Sequence, residues 1–323
     1  MTSKRVLGVA SATVILSMGC AGGSEPAASA ETSAGGETTV EVVAVPTKVQ
    51  GEKHMLTHTI SGIGLSTPES VVYDASTDSY LISNIQGGPS DQDGKAFISR
   101  VTPQGELVKL HWIDSRREGV ELNAPKGMAI AGDTLYVADI THVRKFDLAT
   151  GEPRGSVEFP GATFLNDVAA GPEGVIYVSD SGLLPNFSPS GTDAIYTIAA
   201  DDTITTLIKG EHLGRPNGLL ATAEGVWVVT YGSGEIYKVA LDGSKGTSLK
   251  LPKGALDGIV RTKSGDLLVS SWEGSSVLAG DGTTFTEAVL DVDAPADIAM
   301  DTKRNRVLIP LFKQNALQIV ELE

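Results

Sequence analysis

Six short tripeptides with a polar or charged centre recur along the chain: Pro68-Glu-Ser70, Pro125-Lys-Gly127, Leu165-Asn-Asp167, Pro216-Asn-Gly218, Leu256-Asp-Gly258 and Ala296-Asp-Ile298. Their centres are Glu69, Lys126, Asn166, Asn217, Asp257 and Asp297, spaced 57, 40, 51, 40 and 40 residues apart. The flanking residues are mostly Pro, Gly and apolar, so six polar centres are not what a packed core requires. Glu69, Asn166, Asn217 and Asp257 offer two carboxylates and two amide carbonyls, with no sulfur and no histidine. Hard oxygen donors of this kind suit Ca²⁺ first, with Mg²⁺, Mn²⁺ or Zn²⁺ as further fits, and exclude a thiolate zinc site. A polar, water-filled opening without an ion is the plainer alternative.

The elements that position these residues are strands. Each tripeptide opens a short β-rich segment, and a second β string follows: Tyr80–Asn84, Leu135–Asp139, Ile176–Asp180, Trp227–Tyr231, Leu268–Trp272 and Val307–Leu311. Turn signals such as Pro172-Glu-Gly174 and Ser264-Gly-Asp266 separate the two. A period of 40–50 residues built from short strands is the signature of a β-propeller. The expectation is therefore an all-β, six-bladed propeller over residues 51–323, with about 45 residues per blade. The last blade ends at Gln318–Leu322 without an outer strand. The segment His54–Ile60 is expected to supply it, closing the ring and covering a sheet edge.

In such a ring the innermost strands begin beside the central channel, so the six centres meet at one mouth. Second strands end on the same rim, which makes Asp180, Tyr231 and Trp272 pocket-wall candidates, whereas Asp139 fits a turn cap. The long loops 86–95 and 182–193, the latter with Leu183, Leu184 and Phe187, are expected to overhang the mouth.

The openers Pro216-Asn-Gly218 and Leu256-Asp-Gly258, with the string Ser271-Trp-Glu-Gly274, resemble the senescence marker protein/gluconolactonase/luciferin-regenerating enzyme (regucalcin-like) family of six-bladed propellers. The resemblance covers nearly all of 54–323. It implies one divalent metal held by Glu69, Asn217 and Asp257, with Asn166 as an additional residue. It also implies Asp257 as general base in the hydrolysis of a lactone or related ester, a small-molecule substrate. The family's Arg two residues before the third centre is here Phe164, and the second blade places Lys126 inside the ring. Lys126, Asn166, Asp297 and Trp272 are accordingly read as substrate-binding. The alternatives are an ion pair of Lys126 with Glu69 or Asp297, or displacement of the metal by Lys126. The last would leave a non-catalytic propeller that binds a small ligand or a protein partner.

The N-terminus reads as an address. Lys4 and Arg5 precede an apolar stretch from Val6 to Met18 that is too short for a membrane span and right for a signal h-region. Leu16-Ser-Met-Gly-Cys20 resembles a bacterial lipobox, with Ser17 where an aliphatic residue is usual. The expectation is a signal peptide over 1–19, a lipidated Cys20, and a flexible tether over 20–50 with a reach of roughly 30 Å. This places the protein at the bacterial cell envelope, facing the periplasm or exterior, with membrane contact only through the anchor. The chain has 323 residues, with 25 Lys and Arg against 40 Asp and Glu, and a formal charge of −15. That balance argues against nucleic acid. A single cysteine excludes a disulfide framework.

Overall fold

The computed structural model describes residues 57–322. The leader, Cys20, the tether and His54–Leu56 of the closing segment lie outside the described residues, as does Glu323. Six four-stranded antiparallel sheets follow one another, each of the first five built from four consecutive strands. The sixth is made of Ala299–Asp301, Arg306–Leu311 and Ala316–Glu321, completed by Thr57–Ile60 from the N-terminal side. Thr57 pairs with Val320 and Ile60 with Leu317, so the expected closure is present. No α-helix occurs among the described residues, and none is long and apolar enough to cross a membrane.

The apolar residues form no single central core. Most gather in six wedges, one between each pair of neighbouring blades, with a small seventh cluster of Ile85, Ala124 and Ile140 beside Phe312. Leu81, Ile98 and Ile113 of blade 1 pack on Leu135, Val137 and Phe146 of blade 2. The circle closes where Leu308, Leu317 and Ile319 of blade 6 meet Val71, Tyr80 and Ile82 of blade 1, with Ile60 of the closing strand in the same cluster. Alternation along each strand produces this arrangement, because successive side chains reach the wedge on either face.

The openers carry the feature that shapes the channel. In blades 1 to 5 the inner strand inserts one extra residue against its neighbour, as where Pro68 pairs with Asn84 but Val71 with Ile82. The same shift recurs after Pro125, Leu165, Pro216 and Leu256. Such a bulge re-aims a side chain and frees a backbone N–H. In three blades a serine of the second strand takes that N–H: Ser83 from Ser70, Ser179 from Asp167 and Ser270 from Gly258, at 2.8, 2.9 and 2.7 Å. Ser179 and Ser270 then donate to Asn217 O and Ala296 O of the next blade, both at 2.8 Å.

Blade 6 departs from the sequence expectation. Its inner strand begins at Ala299, after the opener. Asp297 is instead bound across to blade 1, where its N–H donates to Glu69 O at 2.9 Å.

The glycines in the openers answer a steric demand. A Cβ at Gly218 would stand 2.2 Å from Asp257 O, and one at Gly258 would stand 2.3 Å from Ile298 N. Both clashes are with backbone, which cannot swing aside. Gly218→Ala is expected to destabilise by about 2 kcal/mol and to lower the thermal midpoint by roughly 5 °C. Calorimetry of the variant beside the wild type checks this, and an unchanged midpoint would refute the close-approach argument.

Candidate functional site

One mouth of the channel opens into a cavity of about 340 Å³. Its floor is formed by five of the six opener centres: Glu69, Lys126, Asn166, Asn217 and Asp257. Each sits on a bulge, which turns the side chain off the wedge and towards the axis. The sixth centre, Asp297, lies outside this cavity. It accepts a 2.6 Å hydrogen bond from Ser70 Oγ and lines a second, narrower cavity along the channel with Asp167.

Hydrogen bonds on the floor settle which atoms remain available. Asn217 donates Nδ2 to Leu256 O and to Asp257 Oδ1, both at 3.2 Å. Ser181 Oγ gives its proton to Pro216 O, so it must accept from Asn166 Nδ2, at 3.0 Å. Asn217 thus spends both its N–H groups on the protein and Asn166 one of its two, and each keeps its carbonyl oxygen free. Trp272 Nε1 donates to Asp257 Oδ2 at 2.6 Å, which pins the carboxylate between the indole and Asn217. Glu69 Oε2 is buried and has no hydrogen-bond partner. A buried carboxylate oxygen without a donor, beside two amide carbonyls and a second carboxylate, fits a hard divalent cation. No trio of His, Cys, Asp or Glu forms a metal cage among the described residues. The set that fits a cation mixes two carboxylates with two amides.

Electrostatics on the floor are strained by crowding. Burial, then the charge of Asp297, pushes the Asp257 carboxyl up to about 8, against the bonds from Trp272 and Asn217. Burial likewise pushes Asp297 up to about 7, with the Ser70 bond opposing. Glu69 is raised well above the ordinary range by burial and then by Asp257 and Asp297, with Lys126 opposing. Asp167 is raised by burial and by Asp297.

Lys126 is almost wholly buried. Burial lowers its ammonium to about 8, while Glu69 and Asp139 work the other way. Its Nζ donates to Ala124 O at 3.1 Å and lies 4.3 Å from the Phe164 ring centroid. It makes no ion pair within 4.0 Å of a described carboxylate, so the alternative of a direct pairing with Glu69 or Asp297 gives way to a cation–π contact.

The walls come from other elements. Ile85, Tyr231, Trp272 and Phe312 each follow directly on a second strand, which ends at Asn84, Thr230, Ser271 and Leu311 respectively. Tyr231 and Trp272 therefore stand one residue beyond the position of Asp180, not level with it as the strings suggested. Asp180 and Asp139 hold backbone instead: Asp180 accepts from Phe164 N at 3.0 Å and Asp139 from Ala124 N at 2.8 Å. Both long loops reach the cavity, through Pro89 and through Leu183 and Phe187. Ile85 and Phe312 escaped sequence reasoning. Their shared place after a second strand, aligned with Tyr231 and Trp272, is the signal that would have found them.

The sequence matches the SMP-30/gluconolactonase/LRE-like region over residues 67–309. No curated protein gives a significant match. Among solved structures, a gluconolactonase from Xanthomonas campestris is similar with a TM-score of 0.69 at 16% identity, covering 88% of this chain and 97% of its own. A virginiamycin B lyase from Staphylococcus aureus, solved with quinupristin, has a TM-score of 0.55 at 14% identity, covering 79% and 95%. At such identities the structural likeness speaks for the fold alone. The match to the family spans most of the chain, from blade 1 into the second strand of blade 6, and includes every opener centre on the cavity floor: this chain belongs to the SMP-30/gluconolactonase/LRE-like family.

Proposed function

We propose that the protein is a metal-dependent hydrolase of lactones or related esters. The observation that carries this reading is the buried, unpartnered Glu69 Oε2 beside the pinned Asp257 carboxylate. Glu69, Asn217 and Asp257 would hold a divalent cation, Ca²⁺ by preference, with Asn166 beside them. Bound there, the ion would draw electron density from the substrate carbonyl and stabilise charge developing on its oxygen.

The chain's own residues do the rest. Asp257 takes a proton from the attacking water, and its carboxylate is kept in place by Trp272 Nε1 and Asn217 Nδ2. The water oxygen bonds to the carbonyl carbon, the ring C–O bond breaks, and the proton held by Asp257 passes to the departing alkoxide. A hydroxy acid results. Lys126 Nζ, buried under Phe164, is the one cation on the floor and donates to a substrate oxygen. The sequence of the N-terminus supports export and anchoring through Cys20, with the propeller facing the periplasm or exterior.

Asp257→Asn keeps the shape of the floor and removes the base, so kcat for a turned-over lactone should fall at least about 100-fold. Proton-release assays check this, and unchanged turnover would refute the assignment. Titration calorimetry on chelator-stripped protein should show one Ca²⁺ site, weakened in Glu69→Gln. An absence of divalent-ion binding would leave the binding propeller as the reading.

The raised carboxyls also set a pH dependence. Folded Asp257 and Asp297 keep protons that the unfolded chain releases near the ordinary 3.8, so stability falls as pH rises from there through about 7 to 8. In chelator the thermal midpoint should drop between pH 5 and pH 8. Excess Ca²⁺ should raise the midpoint more at pH 8 than at pH 5 and flatten the slope. Parallel slopes with and without Ca²⁺ would place the ion elsewhere.

A further inference from the structure

We infer that the site takes lactones or esters bearing a compact apolar arm, aryl or short alkyl, rather than polyhydroxylated rings. This deepens the hydrolase reading and rests on it. Apart from Tyr231 at the rim, the polar groups of the cavity lie on its floor, where the free acceptors are the ones that would hold the cation. Above them stand Ile85, Phe164, Leu183, Phe187, Trp272 and Phe312. Of these only Trp272 carries a polar atom, and its Nε1 is spent on Asp257. Tyr231, half-exposed at the rim, offers the remaining wall hydroxyl.

A ring with several hydroxyls would face carbon on this wall, losing water without gaining partners. An aryl or alkyl arm loses nothing polar and gains two aromatic pairs as walls. Phe164 and Phe187 lie 6.3 Å apart and Trp272 and Phe312 lie 5.2 Å apart, both tilted. Phe164 stands where the resemblance leads one to expect an arginine, and its ring covers the only ammonium on the floor. The cavity, at about 340 Å³, lies at the lower end for small-molecule sites, hence a compact arm.

Phe187 supplies an independent observation. It is 51% exposed and has a φ of 62°, a left-handed conformation unfavourable to a bulky side chain. Its loop is an ordered hairpin, with Phe187 N bonded to Leu184 O and Ser190 N to Gly182 O, both at 2.8 Å. Leu184, on the same hairpin, is 40% exposed. A half-exposed aromatic with a left-handed backbone, on a hydrogen-bonded hairpin at the rim of an apolar cavity, is explained by a ligand that covers it.

The test compares γ-phenyl-γ-butyrolactone, γ-octalactone, phenyl acetate and glucono-δ-lactone in the Ca²⁺-loaded full chain. Binding of 3-phenylcyclopentanone and cyclopentanone, which cannot be hydrolysed, is measured alongside by calorimetry. The expected result is kcat/KM at least about 100-fold higher for the phenyl and alkyl lactones than for glucono-δ-lactone. The phenyl ketone should bind at least about tenfold tighter than its parent, and Phe187→Ala should narrow both preferences about fivefold. Because Phe187 is half-exposed, that variant leaves the fold intact. Equal or better turnover of glucono-δ-lactone overturns the inference and leaves the hydrolase standing. Tight, Phe187-dependent binding of the phenyl ketone without turnover of any lactone or ester overturns the hydrolase and keeps the apolar ligand class. Neither turnover nor binding overturns both.

Discussion

Six inner segments converge on one axis, and their backbones approach so closely that a single added methyl at residue 218 or 258 would strike the backbone of the next blade. Much else follows from this crowding. In blades 1 to 5 it goes with a small or backbone-bonding residue at the third opener position and a bulge, and in three of them a serine takes up the freed N–H. It also leaves the second opener residue no wedge to enter, so that side chain must face the channel. A polar centre there is tolerated by the packing.

The same convergence concentrates charge. Glu69 and Asp257 on the cavity floor, and Asp297 and Asp167 in the neighbouring cavity, are all buried and feel one another's charge, with Lys126 the one ammonium beside Glu69. Low polarisability magnifies both the penalty for ionising these carboxyls and the reward for placing a counter-charge among them. The hydrogen bonds do not relieve the strain: Trp272 and Asn217 hold Asp257, but Glu69 Oε2 is left with nothing. Fixed dipoles and unsatisfied oxygens are arranged before any substrate arrives, which is the condition for electrostatic catalysis.

Floor and wall have different origins. The floor is read out by the repeat, one residue from each of five blades, and is tied to the geometry of closure. The wall is assembled from positions just beyond the second strands and from two loops, which the blades tolerate in almost any form. Ring closure therefore constrains the chemistry of the floor, while the wall can change independently and set which molecules reach it.

The opener centres, the six blades and the closing strand were legible in the sequence because strand alternation and turn residues are short-range signals repeated six times. The hard oxygen donors of the floor were legible too, since residue types carry them. Ile85 and Phe312 were not, because one apolar residue after a strand looks like any core residue until the blades are set in a ring. Nor was the partner of Lys126: charge complementarity pointed to Glu69 or Asp297, yet packing put the Phe164 ring beside it. Asp297 shares the pattern of the other centres but is drawn to Ser70 by the junction of the last blade with the first. Local periodicity and residue chemistry thus determined the fold and the donors on the floor. Only the closed ring decided which donors share a cavity and what surrounds them, because those contacts join residues from different blades that no local pattern relates.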